Sequence, residues 1–199
     1  MANYELLDRE RSIVAVIDLQ GKLMEMIHRP RLVIDATIRL MQLAEVFEVP
    51  VILTEQYPQG LGVTHPEVRA AFDQLSSPKQ YVDKLSFGCC GEPRFMEALE
   101  AARPGLPPDK RQVVVCGIEA HVCVMQTVLE LLRLEHGVFA CWEAISGRGE
   151  EYYRHALRRM SKAGAQITNH ESVCFEWARD STHPGFKAMN RILRAGQLT

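Results

Sequence analysis

The chain has 199 residues, of which 47% are hydrophobic and 24% charged, and its formal net charge is -2. This composition is typical of a globular protein and excludes a disordered or fibrous chain. A charge so close to zero, without a cluster of Lys or Arg, disfavours binding to nucleic acid or to an anionic membrane surface.

Sequence features also indicate where the protein resides. No apolar stretch approaches the roughly 20 residues that a membrane span requires, and the polar, acidic residues 1–10 lack the pattern of a signal peptide, which predicts a cytoplasmic protein. The six cysteines are spread along a chain long enough to need no disulfide, so we interpret them as free thiols. Cys89 and Cys90 have no second pair at zinc-ligand spacing, which argues against a structural zinc.

The first predicted elements are a strand, a helix and a second strand. Residues 12–18 are a run rich in β-branched residues that ends in Asp18, typical of a strand buried on both faces of a parallel sheet. Apolar residues recur at helical spacing over 30–49, and 50–54 follow as another buried strand. This order predicts a βαβ unit.

The same alternation returns in the second half of the chain. Strands are predicted at 112–116, 137–141 and 166–168, with helices at 121–134 and 150–163. The long segment between the halves (55–110) contains an extended piece at 81–83 and a helix near 93–101, and such insertions often carry function. We predict a single domain over 1–199 with a three-layer αβα fold around a doubly wound, mostly parallel sheet.

Three polar side chains follow predicted strands, where open α/β sheets bind ligands. Asp18 ends the first strand, Lys84 follows the extended piece, and Cys123 comes just after the strand at 112–116. We expect Cys123 in the first turn of a helix, where the helix dipole and a nearby Lys favour its thiolate. Asp18 then moves the proton that attack on an amide requires.

Four segments form a series that matches a known family. They are Asp18-Leu19-Gln20, the loop at 54–62, Lys84 with Ser86-Phe87, and residues 117–124 followed by Gln126-Thr127. In this order they resemble the isochorismatase-like cysteine hydrolase superfamily over nearly the whole chain, most closely its isochorismatase-domain-containing branch of largely unassigned substrate.

The resemblance implies a catalytic triad of Asp18, Lys84 and Cys123, in which the thiolate attacks a carbonyl, Asp18 shuttles the proton and Lys84 supports the charges. It also implies a cis peptide between Ile118 and Glu119, and an oxyanion hole made by the amides of Glu119 and Cys123. The family implies a small-molecule substrate, no cofactor and assembly into a homo-oligomer. We expect the C-terminal helices around 175–193 either to form that assembly or to cover the sheet.

Two departures from the family pattern limit what is carried over. Metal-binding nicotinamidases have Asp-x-His where this chain has Glu55-Gln56-Tyr57, so we predict no metal. Ala120-His121 replaces the usual Thr-Asp or Thr-Asn before the nucleophile, which weakens the transfer of any known substrate.

Several residues near the predicted site have two interpretations. Gln20, Gln56, Tyr57 and Phe87 either line a substrate pocket or serve local structure, by satisfying loop backbone or by packing. His121 is a second base, a substrate contact in that pocket or a helix cap. Arg148 either binds substrate or closes a neighbour's loop, and Cys89-Cys90 is a reactive or resolving pair, a pocket wall or incidental. Cys116, Cys141 and Cys174 are predicted to be small core residues.

The leading hypothesis is hydrolysis of a small molecule at a carbon-nitrogen, amide-like bond through a covalent Cys123 intermediate. One alternative is a thiol-redox-responsive protein in which Cys123 oxidises and Cys89 or Cys90 resolves it. The other is a non-catalytic member of the family that acts as an oligomer or binding partner.

Overall fold

The computed structural model of the protein describes residues 5–195. Within them, six parallel strands form one sheet in the order β3-β2-β1-β4-β5-β6. The strands are β1 (Ser12–Ile17), β2 (Val51–Gln56), β3 (Lys79–Lys84), β4 (Gln112–Gly117), β5 (Gly137–Ile145) and β6 (Gln166–Thr168). Residues 1–4 of the N-terminal stretch discussed above lie outside the described residues.

Helices cover both faces of this sheet. They are α1 (Gly21–Met24), α2 (Pro30–Val46), α3 (Pro58–Leu61), α4 (Pro66–Asp73), α5 (Pro93–Ala102), α6 (Met125–Arg133), α7 (Glu150–Ala163), α8 (His170–Ala178) and α9 (Phe186–Arg194). One apolar cluster packs α2, α4, α8 and α9 on one face, and the other packs α5, α6 and α7 on the opposite face. The predicted three-layer fold with a doubly wound parallel sheet is therefore confirmed.

Strand β1 shows how the sequence specifies this arrangement. All six of its residues are buried, and alternate side chains point to opposite faces. Val14 and Val16 join the cluster under α2, whereas Ile13, Ala15 and Ile17 join the cluster under α6 and α7. A run of apolar β-branched residues is thus required because neither face meets water.

The strand order reverses direction between β1 and β4, which lie side by side at the centre of the sheet. Chain connections run from β1 outward to β2 and β3 on one side, and from β4 outward to β5 and β6 on the other. The crevice at the carboxyl ends of such neighbours is where doubly wound folds bind ligands. Asp18 directly follows β1, and Cys123 lies in the turn that follows β4.

Several predicted boundaries differ from the structure. Strand β2 continues to Gln56 and β5 to Ile145, each farther than predicted. The extended piece at 81–83 is the edge strand β3, and α4 was not predicted. The predicted helix at 121–134 begins as a wide π-helical turn over Ala120–Val124 before α6 starts.

Within residues 5–195, no helix combines the length and the apolar character that crossing a membrane requires. All six cysteines lie in this range and none forms a disulfide, as the sequence predicts.

Candidate active site

Asp18 is fully buried at the carboxyl end of β1. Its backbone is left-handed, with φ of 52°, a conformation that Asp tolerates better than most residues. One carboxylate oxygen, Oδ1, accepts a hydrogen bond of 2.7 Å from the hydroxyl of Thr54, and the other, Oδ2, accepts one of 2.6 Å from Lys84 Nζ. These two hydrogen bonds fix the orientation of the Asp18 carboxylate.

Lys84 ends the edge strand β3 and is buried like Asp18. Its register partner in β2 is Gln56, whose side-chain Oε1 accepts a bond of 3.0 Å from Lys84 Nζ. The same ammonium group donates to the backbone carbonyls of Ser86 (3.2 Å) and Phe87 (3.0 Å). Burial is the largest single influence and lowers the pKa of Lys84, but the charges of Asp18, Cys89 and Cys123 and the hydrogen bond to Asp18 together outweigh it, so the net shift is upward. The charge of Lys84 is neutralised by Asp18, and its ammonium group has protein acceptors in place of water.

Cys123 lies in the π-helical turn after β4 and is 5% exposed. Burial raises the pKa of its thiol, and the negative charge of Asp18 and a hydrogen bond to Asp18 raise it further. Lys84 opposes this shift without reversing it. The expectation that the helix start and the lysine favour a thiolate is therefore wrong for this structure, because Asp18 offsets the charge of Lys84 and burial disfavours any anion.

The structure brings Asp18, Lys84 and Cys123 into one electrostatically coupled cluster. A protonated thiol can donate a proton and a carboxylate can accept one, so Asp18 is a suitable acceptor for the Cys123 proton. The arrangement can move that proton without changing the net charge of the cluster. This is the chemistry of a general base beside a neutral nucleophile.

Cys89 is a fourth member of the cluster, whose role the sequence left open. It is fully buried, its Sγ lies 3.9 Å from Thr54 Oγ1, and it is coupled to Asp18, Lys84 and Cys123. Burial, then the charge of Asp18, raises its pKa to about 12. Thr127 joins the two thiol-bearing segments, since its hydroxyl accepts from the Cys89 amide (2.9 Å) and donates to the Cys123 carbonyl (2.7 Å). Thr127 is part of the Gln126-Thr127 motif, but the sequence did not predict the two hydrogen bonds of its hydroxyl.

The turn between β4 and Cys123 has an unusual backbone. The peptide bond between Ile118 and Glu119 is cis, and the Glu119 carbonyl accepts bonds from the amides of Val122 (3.0 Å) and Val124 (3.3 Å). The Glu119 carboxylate is buried and paired with Arg148 through bonds of 2.6 Å and 3.2 Å. Arg148 therefore helps to hold the turn that carries Cys123.

The predicted pocket residues Gln20 and Gln56 have structural contacts. The side-chain Nε2 of Gln20 donates to the backbone carbonyls of Gln56 (2.9 Å) and Gly62 (2.5 Å). Its side-chain Oε1 accepts from the backbone amide of Gln56 (2.7 Å). Gln56 Nε2 donates to the carbonyl of Leu85 (2.8 Å). Both side chains satisfy loop backbone, and Gln56 in addition positions Lys84.

Tyr57 and Phe87 lie beside Lys84 with exposed rings. The Tyr57 amide donates to the Lys84 carbonyl (2.9 Å), and its ring lies over Gly60, where a side chain would not fit. The ring of His121 stacks on Tyr152 with centroids 4.7 Å apart and lies over Gly147. It does not cap the helix, because no side-chain cap is present at this helix start.

Glu55, which stands in the family's metal-binding segment, also has a structural role. Its Oε1 accepts from the amide and the hydroxyl of Thr64, both at 2.7 Å, and its Oε2 accepts from the Tyr81 hydroxyl at 2.8 Å. In the described part of the chain, no three His, Cys, Asp or Glu side chains come together as a metal site. Cys116, Cys141 and Cys174 are buried in the core, as predicted.

The fold and this cluster define a doubly wound α/β protein with an acid, a lysine and a thiol at the switch point of its sheet. The family described as Isochorismatase domain matches residues 12–172. The chain therefore belongs to the isochorismatase family, as its motifs predict.

A curated relative and three solved structures are similar to the chain. Isochorismatase domain-containing protein 2 of Xenopus laevis is 36% identical and covers 94% of this chain and 85% of the relative. A structure described as the MAR1 ribonuclease of Caenorhabditis elegans superposes with a TM-score of 0.85 at 30% identity, covering 98% of this chain and 96% of the other.

Two YcaC structures superpose equally well. YcaC from Pseudomonas aeruginosa, with hexane-2,5-diol and covalent acrylamide, has a TM-score of 0.82 at 27% identity and covers 95% of this chain and 92% of the other. YcaC from Escherichia coli, described as an octameric hydrolase of unknown specificity, has a TM-score of 0.83 at 25% identity and covers 96% and 92%.

Proposed function

We propose that this isochorismatase-family protein is a cysteine hydrolase that cleaves a carbon-nitrogen, amide-like bond of a small molecule. The observation that carries the proposal is the position of Asp18, which bonds Lys84 at 2.6 Å and lies near enough to Cys123 for its charge to raise the pKa of the thiol. A buried acid that contacts both a cation and a thiol has a task that core packing does not require.

In the proposed first half-reaction, Cys123 gives its thiol proton to Asp18 as its sulfur bonds to the substrate carbonyl carbon. The amides of Glu119 and Cys123 stabilise the oxyanion. Asp18, now protonated, gives that proton to the leaving nitrogen when the carbon-nitrogen bond breaks. Lys84 stays protonated throughout and balances the negative charge, wherever it resides.

In the second half-reaction, a water molecule gives a proton to Asp18 as its oxygen adds to the acyl carbon. Collapse of this intermediate breaks the bond between sulfur and carbon, and the proton returns from Asp18 to Cys123. No cofactor takes part in this sequence. The covalent acrylamide in the structure of Pseudomonas aeruginosa YcaC supports the choice of a small, neutral electrophile as a probe of Cys123.

The two alternatives make different demands on the cluster. A thiol-redox role requires a reactive thiolate, whereas burial and the charge of Asp18 raise the pKa values of both Cys123 and Cys89. A non-catalytic role does not explain the buried Asp18–Lys84 pair. Replacing a buried ion pair by apolar residues often stabilises a protein, so the pair is not needed for stability alone.

A ribonuclease activity is named for the similar Caenorhabditis elegans protein. Binding of an RNA backbone requires positive charge that can pair with phosphates. The net charge of this chain is -2 and Lys84 is already paired with Asp18, so both give RNA binding little support. We keep a small molecule as the proposed partner, with no nucleic acid and no membrane. We further propose a single domain, a cytoplasmic location and a homo-oligomer, the last supported by the octameric Escherichia coli relative.

Intact-protein mass spectrometry after incubation with amides, imides and carbamates tests the proposal. We expect a trapped acyl adduct in the wild type that is lost in Cys123→Ala and retained in the matched variant Cys90→Ala. An adduct that survives Cys123→Ala would remove Cys123 from the mechanism. RNA cleavage that the wild type shows and Cys123→Ala lacks would replace the proposed substrate class.

A further inference from the structure

The hydrogen bonds of Lys84 bear on which substrates the site accepts. An ammonium group has three N–H donors, and Lys84 Nζ already has four acceptors: Asp18 Oδ2, Gln56 Oε1 and the carbonyls of Ser86 and Phe87. All four lie within 3.2 Å of Nζ. A substrate carboxylate has to displace one of these acceptors before it can pair with this lysine.

The cation beside the nucleophile's turn is also engaged. Arg148 contacts both carboxylate oxygens of Glu119, at 2.6 Å and 3.2 Å. The Asp18, Lys84 and Cys123 cluster has a net charge of zero when the proton is on sulfur, and it is still zero after the proton moves to Asp18. The site thus supplies no net positive charge to an incoming anion at either stage.

The loop at 85–88 presents exposed apolar side chains next to Lys84. Its carbonyls at Leu85, Ser86 and Phe87 turn inward to bond Gln56 and Lys84. The side chains of Leu85 and Phe87 are correspondingly 74% and 57% exposed. Together with the exposed ring of Tyr57, whose amide bonds the Lys84 carbonyl at 2.9 Å, they form what we call the apolar rim (Tyr57, Leu85 and Phe87).

We propose that this site selects neutral acyl compounds that carry an apolar substituent and discriminates against carboxylates. The cluster at Lys84 disfavours the burial of an uncompensated anion, and the apolar rim provides contact area for the substituent. This inference rests on the proposed function, because it assumes that the substrate reacts at Cys123.

Two alkylating agents that differ in charge test the selection directly. With iodoacetamide or iodoacetate, the Cys123 sulfur bonds to the methylene carbon as the carbon-iodine bond breaks, iodide leaves, and the thiol proton goes to Asp18. The intrinsic preference of a free thiol is measured with glutathione at the same pH. We expect the ratio of iodoacetamide to iodoacetate labelling at Cys123 to exceed that of glutathione by at least about tenfold, a difference of ~1.4 kcal/mol.

The outcomes separate the two claims. A ratio at Cys123 equal to that of glutathione overturns the charge selection and leaves the nucleophile intact. Failure of both reagents to label Cys123 overturns the proposed function and this inference with it.

A rim variant tests the second half of the inference. Phe87→Ser should lower the preference of Cys123 for N-phenyl iodoacetamide over iodoacetamide by several fold, since the phenyl group loses an apolar contact. Ile167→Ser is the matched control, because Ile167 is an exposed apolar residue at the far edge of the sheet on β6. Equal effects of the two substitutions, or no effect of Phe87→Ser, would remove the apolar rim from substrate selection.

Discussion

At the scale of single residues, the candidate nucleophile is a buried thiol rather than a thiolate that persists at rest. Asp18 is responsible for part of this state, since its charge and its hydrogen bond both raise the pKa of Cys123. The same carboxylate is the nearest base for the thiol proton. In the proposed mechanism, activation is therefore coupled to attack, and the anion forms only as the new bond to carbon forms.

Replacement of Asp18 by Asn separates the two effects of this residue. The substitution removes a charge that raises the pKa of Cys123 and leaves Lys84, which lowers it. We expect the midpoint of Cys123 alkylation against pH to fall by about one pH unit or more, while turnover falls by roughly 10²–10⁴ because the general base is lost. Rates of labelling followed by peptide mass spectrometry measure the first, and product formation measures the second.

Asp83→Asn is the matched control, because Asp83 is the residue before Lys84 and pairs with Arg94 at the surface, at 3.0 Å. It should leave the midpoint unchanged. A midpoint that rises in Asp18→Asn would contradict the assigned sign.

The sequence predicted the three residues of this cluster but not their protonation. Spacing after strands and the family motifs placed Asp18, Lys84 and Cys123 together. They did not reveal that Asp18 neutralises Lys84. That depends on a 2.6 Å contact between the ends of β1 and β3, which lie on either side of β2 in the sheet. The direction of His121 was equally hidden, since it depends on Tyr152 in α7.

At the scale of elements, the end of β4 determines where the turn that carries Cys123 begins. Gly117 is the last residue of β4, and its φ of 126° is one that other residues rarely adopt. A Cβ at this position would overlap the backbone of Ile17, including its carbonyl oxygen. The absent side chain thus allows β1 and β4 to lie close together where Asp18 and Cys123 leave the sheet.

Ala substitution at two glycines measures this requirement. Gly105 also has a positive φ, 77°, but has no atom within 4 Å of an added Cβ. Gly105→Ala should cost about 1–2 kcal/mol of unfolding free energy through backbone conformation alone. Gly117→Ala adds the overlap with Ile17 and should cost clearly more, as determined by chemical denaturation. Equal losses at the two positions would show that the close approach is unimportant.

Elements with a strong apolar pattern were predicted most accurately. Helix α7 and strand β6 have the predicted bounds. For α7 the reason is that Gly149 and Gly164 flank its amphipathic segment. Helix α4 was not predicted, since only Val68 and Phe72 are buried along it and so few apolar positions give a weak helical period. The π-helical turn at Ala120–Val124 also had no signal, because its residues suit an α-helix as well.

At the scale of the whole molecule, the doubly wound sheet places segments distant in sequence at one crevice. Asp18 and Lys84 are separated by 66 positions, and Cys123 comes from the other half of the chain. The C-terminal helices cover the sheet: α9 buries Met189, and Trp177 of α8 is buried in the cluster under α2. This matches the second of the two interpretations given for residues 175–193, while Phe175 stays exposed.

The proposed homo-oligomer is a prediction about the whole molecule. Light scattering coupled to size-exclusion chromatography should give a mass that is at least twice 22.5 kDa and a whole-number multiple of it. A single species of 22.5 kDa over the concentration range tested would contradict the proposed assembly.

The most direct test of the central claim is the order in which the cysteines react with a limiting amount of acrylamide, read by peptide mass spectrometry. Cys90 is the natural internal reference, because it is adjacent to Cys89, more exposed than Cys123, and lies outside the Asp18 and Lys84 contacts. If Asp18 accepts the thiol proton during attack, Cys123 is modified before Cys90 despite its deeper burial. Modification of Cys90 first would contradict an activated nucleophile at Cys123.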